Sequence, residues 1–275
     1  MDAHQRKIDP LQKTWDPNDR IGDMLKGKRG LVVGVANEHS IAFGCAAKFR
    51  GFGAELALTY LNEKAKPYIL PLAEQIEAKL LLPLDVEQPG ELERVFAAVE
   101  REWGKLDFVL HSIAFAPKGD LHGRLVDSSR EGFEQAMRVS VHSFIEMARL
   151  AEPLMTDGGV LLTMSYYGAE KVVHHYNMMG PVKAALEATT RYLAAELAEK
   201  RIRVYSLSPG PVRTRAAGGI DGFDELVNMA ETRSPGKRLV DIAEIGRVAA
   251  FLVGGASSGM TGDTIYVDAG LHIMA

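Results

Sequence analysis

"GLVVGVANEHSIAFGCAAKFR", residues 30–50, opens on an apolar run and closes on a stretch of small and apolar residues. The run 30–36 reads as a buried strand, because it is continuously apolar instead of alternating with polar residues. The stretch 40–50 reads as a helix whose small residues permit close packing. Between them lie Gly34 and, at the expected helix start, Ser40.

The same alternation recurs along the chain. Further strands are expected at "ELALTY" (55–60), "KLLLPLDV" (79–86), "LDFVLHSIA" (106–114), "GVLLTMSYY" (159–167), "IRVYSLS" (202–208) and "DTIYVDAG" (263–270). Helices are expected near 63–78, 89–102, 130–155 and 241–253, with another running to about Lys200. Apolar strands that alternate with helices indicate a parallel sheet covered on both faces. The expected fold is a single-domain α/β Rossmann-type doubly wound sheet of about seven strands. Residues 1–26, polar apart from anchors such as Leu11 and Trp15, read as an N-terminal arm, and 27–275 as the domain. The segment 211–236, rich in Gly, Arg and Pro, reads as a substrate loop.

Composition narrows the function classes. Of 275 residues, 47% are hydrophobic and 25% charged, which is ordinary for a globular protein. A net charge of −4 gives no reason to expect nucleic acid or an anionic membrane as partner. The one cysteine, Cys45, cannot form an internal disulfide, and no Cys/His cluster has metal-ligand spacing. His174 and His175 lack the further ligands a metal site needs. The amino terminus has no apolar signal-like core, and no apolar run approaches the ~18 residues of a membrane helix. The expectation is a cytoplasmic protein without bound metal.

In such sheets ligands bind outside the carboxyl ends of the strands, at the switch point of the strand order. Gly34 and Gly44 bracket a loop in which Ser40 sits at the expected helix start, and that helix amino terminus can hold a pyrophosphate. A plain strand-to-helix turn with a serine cap reads equally well. At the end of the second strand stands Leu61, with neither an acid nor an arginine at that place. This leans towards NADH and leaves NADPH open. Asp85 and Val86, ending the third strand, suit an adenine amino group and ring, and Asp85 suits a helix cap equally. Met178, Met179 and Phe115 fit an acyl channel or a core.

"YNMMGPVKAALEA" (176–188) sets Tyr176 and Lys183 seven positions apart, with Gly180-Pro181 between them. Proline is tolerated in a first helical turn, so a helix beginning near 177–180 places Tyr176 at its mouth and Lys183 inside it.

With "GVANEHSIAFG", "HSIAFAP" (111–117), "LTMSYYGAE" (162–170), "GPVRTRAAGGI" (210–220) and "SGMTGDTIYVDAG" (258–270), this stretch resembles enoyl-acyl carrier protein reductases of bacterial type II fatty acid synthesis. That family is a branch of the short-chain dehydrogenase/reductase superfamily. The similarity runs from about Gly27 to the C-terminus. The six-residue gap between Tyr176 and Lys183, and a second tyrosine, Tyr166, match that branch and not the Tyr-x-x-x-Lys of ordinary members.

The resemblance implies an NADH-dependent reduction of trans-2-enoyl-acyl carrier protein thioesters. It assigns catalysis to Tyr166, Tyr176 and Lys183. Tyr176 would donate to the thioester oxygen, Lys183 would hold the nicotinamide ribose, and Tyr166 would shape the pocket or assist enolate protonation. Cofactor binding falls to Gly34, Ser40, Ile41, Leu61, Asp85, Val86, Ile113, Lys183, Val212 and Thr214. Substrate binding falls to Ala116, Tyr166, Tyr176 and Met179. It also implies acyl carrier protein as partner and a homotetramer. Leu61, Pro181 and Arg215 depart from residues common in the family. Two other readings are a ketone or alcohol reductase of the same superfamily and a non-catalytic cofactor-binding protein.

Overall fold

The computed structural model describes residues 22–214 and 222–274. Seven parallel strands form one sheet in the order β3-β2-β1-β4-β5-β6-β7. They are β1 (Arg29–Val33), β2 (Glu55–Tyr60), β3 (Leu80–Pro83), β4 (Phe108–His111), β5 (Gly159–Met164), β6 (Ile202–Pro209) and β7 (Thr264–Val267). The crossovers are α1 (Ile41–Gly51), α2 (Lys66–Gln75), α3 (Glu91–Trp103), α4 (Arg130–Met137), α5 (Ser143–Ala151), α6 (Met179–Leu197), α7 (Phe223–Arg233) and α8 (Ile242–Val253). Two apolar clusters, one on each face of the sheet, bury the strands on both sides. This is why the strand sequences run apolar without alternation.

The chain passes from β1 to β2 and β3 on one side, then returns to β4 on the other, so the switch point lies between β1 and β4. There the backbone closes tightly. Gly34 has φ +111°, and a Cβ built on it would lie 2.0 Å from Ser112 O. Only glycine fits both the dihedral and the space.

Four expectations are refined. The packed chain begins before Gly27: Leu25 is fully buried and its N–H donates to Phe52 O at 2.9 Å. Leu11 and Trp15 lie outside the described residues. The helix expected over 130–155 is interrupted by a π-helical turn, Arg138–His142, and β5 ends at Met164, short of the tyrosines. The segment 211–236 is not loop throughout, since α7 lies within it. That helix buries Leu226, Val227 and Ala230, with Asp224 and Glu225 in its first turn and Arg233 in its last. Arg215 lies outside the described residues.

Candidate active site

A cleft of about 570 Å³ runs along the carboxyl ends of β1 to β6. Its floor is the switch point, with Gly34 and Ile41 beside Ser112 and Ile113. Ile41 is the first residue of α1, so the amino terminus of that helix opens on the cleft. One end is walled by Leu61, Asp85 and Val86, the other by Ala116, Met179 and Leu226. Val212 and Thr214 close it from above β6.

The middle of the cleft is aromatic. Tyr166 follows β5 by two residues, and Tyr176 lies in the turn just before α6. Their rings meet edge to face with centroids 4.8 Å apart, and Tyr167 packs on Tyr166 at 4.9 Å. Tyr176 sits between His175 (φ +64°) and Asn177 (φ +40°), two non-glycine residues in the left-handed region. Asn177 Nδ2 anchors that strained turn by donating to Leu121 O at 3.1 Å. Gly168 makes room for the ring: a Cβ there would lie 2.6 Å from Tyr176 Cδ1. Gly180 and Pro181 are the second and third residues of α6, where no intrahelical N–H donor is needed.

Tyr166 Oη is buried and makes no hydrogen bond of good geometry among the described residues, its weak contact being with the Tyr167 hydroxyl. A buried hydroxyl left poorly paired costs free energy, so a polar atom arriving in the cleft would find a donor waiting. Burial pushes the Tyr166 phenol far up, helped by the neighbouring Tyr167 and Tyr176. The Tyr176 phenol is also raised, by burial first and by the Glu187 charge second. Both phenols are therefore protonated donors at neutral pH, and neither is a base.

Lys183 is the one cation among the described lining residues. It is buried on the inner face of α6, and its Nζ donates to Met164 O at 2.6 Å. Burial brings its pKa down to about 8, opposed by the Glu187 charge. Beneath it, His111 bridges Thr163 Oγ1 at 2.8 Å and Ser143 Oγ at 2.9 Å. Burial lowers His111 to about 3, helped by Lys183, so the imidazole is neutral.

Of the residues expected at the site, all but one line this cleft. Ser40 does not: its hydroxyl donates to Asn37 O at 2.6 Å and accepts from Ala36 N at 3.4 Å, which folds the turn after β1. It makes no side-chain cap to α1 either. Asp85 lines the wall while Oδ1 accepts from Glu87 N at 3.0 Å. Phe115 lines the cleft, whereas Met178 is fully buried in the core.

Sequence reasoning missed several wall residues. Val139 reaches the cleft from the π-helical turn, and the adjacent Ser140 Oγ accepts from Phe115 N at 3.0 Å. Phe223 and Leu226 come from α7, whose apolar spacing follows a glycine-rich stretch that hid it.

The family model for "Enoyl-(Acyl carrier protein) reductase" matches residues 34–272. The chain is 46% identical over 249 residues to an enoyl-acyl-carrier-protein reductase (NADH) of Rhizobium meliloti, covering 90% of this chain and 92% of that one. It is 43% identical over 253 residues to an enoyl-acyl-carrier-protein reductase (NADH) of Synechocystis, covering 91% and 98%. Among solved structures, the Anaplasma phagocytophilum reductase in complex with NAD superposes with a TM-score of 0.89 at 46% identity, over 92% of this chain and 97% of that one. The Bacillus cereus enoyl-acyl carrier protein reductase with NADP+ and indole naphthyridinone also superposes at 0.89, with 42% identity over 92% of this chain and 99% of that one.

Proposed function

We infer the reaction from kinship and geometry together: the chain belongs to the enoyl-(acyl carrier protein) reductase family. It reduces the carbon–carbon double bond of trans-2-enoyl-acyl carrier protein thioesters with NADH, in line with its relatives, which are named enoyl-acyl-carrier-protein reductases (NADH). The observation that carries this is the convergence of Tyr166, Tyr176 and Lys183 on one cleft beside the switch point.

The cleft suits a dinucleotide. Gly34 leaves its floor without a side chain, the amino terminus of α1 offers N–H groups to a pyrophosphate, and Leu61, Asp85 and Val86 form an adenine end without a cation for a 2′-phosphate. Ile41 and Ile113 pack along it, and Val212 and Thr214 lie over the opposite end, towards the nicotinamide. NADH held there would supply the hydride for the substrate β-carbon.

The chain's own residues do the rest. Tyr176 Oη donates to the thioester oxygen as negative charge develops there, and its protonated state fits it for this. Lys183 holds the ribose hydroxyls. Tyr166 Oη, without a hydrogen bond of good geometry in the free protein, completes the pocket and stands ready as a second donor. Ala116 and Met179 bound the acyl chain beside these phenols. Apolar walls exclude water and strengthen each of these interactions.

The reading takes 27–275 as one catalytic domain in the cytoplasm, and the homotetramer as its assembly. No helix among the described residues is long and apolar enough to cross a membrane. Ile145 on α5 and Tyr192 on α6 are large side chains exposed on the helices expected to meet a neighbouring copy. Light scattering at micromolar concentration checks the assembly, and a monomer would contradict it.

The test of the activity is direct. Purified protein mixed with NADH and a crotonyl or longer trans-2-enoyl thioester should consume NADH absorbance. No consumption with either nicotinamide cofactor, or a ketone panel that outperforms the thioesters, would overturn the reading.

A further inference from the structure

The end of β5 and the inner face of α6 are tied together twice. Lys183 Nζ donates to Met164 O, and one helical turn later Glu187 Oε1 accepts from Ser165 Oγ at 2.5 Å. Met164 and Ser165 are consecutive, and Lys183 and Glu187 are spaced i, i+4, so the two ties run parallel. Both charged side chains are buried, at 6% and 5% exposure. A carboxylate with that little solvent is retained at a cost unless it is paired with something.

We propose that Glu187 is a positioning residue for the reductase reaction: held by Ser165, it fixes the Lys183 side chain against the end of β5 and keeps it in its ammonium form. This rests on the reading of Lys183 as the ribose-holding group. Glu187 does not touch the cleft itself. It acts on the lysine through the helix they share and through its charge.

The surrounding groups leave few alternatives. His111 faces Lys183 from β4 and is neutral across the working range. Tyr176 and Glu170 face Glu187 from the segment between β5 and α6, Arg191 from one turn further along the helix, and Tyr266 from β7. Tyr176 and Tyr266 are raised by burial and stay neutral, and an arginine stays charged. Burial raises Glu187, while the Ser165 hydroxyl opposes that rise most and holds the carboxylate towards its ionised form. Near pH 8 the lysine titrates: burial sets its value first, and the Glu187 charge raises it against that burial.

The experiment measures NADH dissociation constants by fluorescence from pH 6.5 to 10, in the full-length wild type and in Glu187→Gln and Ser165→Ala. The wild type should bind NADH with an affinity that falls as pH rises through about 8, the lysine's value. Removing the carboxylate should move that fall to lower pH by about one unit, the size expected from one charge several ångströms away at moderate dielectric. Ser165→Ala should move it in the same direction by less, and it decides alone if Glu187→Gln does not fold. Folded variants whose alkaline limb coincides with the wild type's, or a wild type without such a limb, would overturn the proposal. Turnover of a crotonyl thioester by the wild type is followed in parallel. Its absence would defeat the reductase reading, whereas turnover with an unmoved limb defeats only the role of Glu187.

Discussion

The rings of Tyr166 and Tyr176 stand edge to face with centroids 4.8 Å apart, although ten residues and a strained turn separate them in the chain. The contact packs the two lining rings against each other in the cleft. Only one of the two hydroxyls is required to meet the thioester oxygen. Tyr176→Phe keeps the ring packing and removes that donor. Losing one such donor typically costs ~2.7–4 kcal/mol of transition-state stabilisation, so kcat should fall about a hundredfold to a thousandfold. NADH affinity should not change. A variant with kcat within threefold of wild type would remove Tyr176 from its assigned place.

Tyr166→Phe separates stability from activity. The wild-type hydroxyl is buried without a hydrogen bond of good geometry, so deleting it relieves a desolvation cost of roughly 1 kcal/mol or more. The variant should therefore unfold at a higher urea concentration while turning over more slowly. A buried hydroxyl that served the fold would produce the opposite change in urea midpoint.

Gly34→Ala tests the switch point. The added Cβ would lie 2.0 Å from Ser112 O, against backbone at a φ of +111° that alanine resists. Since neither strand end can retreat without breaking β1–β4 pairing, stability should drop by several kcal/mol, as for strained backbone with a steric clash. Thermal denaturation with and without NADH gives the check. A variant that melts with the wild type would show that the β1–β4 junction is softer than its geometry indicates.

How far the sequence carried this reading depends on the range of the interactions. The buried strands and α1 were legible because their apolar runs are local. The start of α6 was legible because a proline is tolerated in a first helical turn, whereas the roles of Tyr176 and Lys183 came from the family resemblance. Long-range geometry left no such trace. Nothing in "RVSVH" announces a π-helical turn, yet that turn brings Val139 into the cleft and Ser140 under Phe115. The Ser40 hydroxyl could serve a phosphate, a helix cap or its own loop, and the structure spends it on the loop. Glu187 carried no signal of its own, because Ser165, which holds it, lies on a segment that meets α6 only in the folded chain.

His111 gives a pH dependence with a definite sign. Ser143 Oγ donates to Val139 O at 2.7 Å, so it accepts from Nε2–H of His111, and Nδ1 accepts from Thr163 Oγ1. Adding a proton at Nδ1 reverses the Thr163 bond and places a positive charge beside Lys183 in a site without solvent. The folded pKa is about 3 against the ordinary histidine value of 6.5, so between those values the unfolded chain binds one more proton. Stability from this group is fully present above about pH 6.5 and is lost as pH falls towards 3, at up to ~1.4 kcal/mol per pH unit. His111→Asn should be less stable than wild type at pH 7, because its shorter side chain meets Thr163 and Ser143 less well. The gap between the two proteins should narrow steadily down to pH 4.5, since only the wild type takes up this proton on unfolding and all other groups cancel in the difference. Urea midpoints measured in parallel at each pH give the curve, and a gap that stays constant from pH 7 to 4.5 would mean that His111 titrates alike in the folded and unfolded chains.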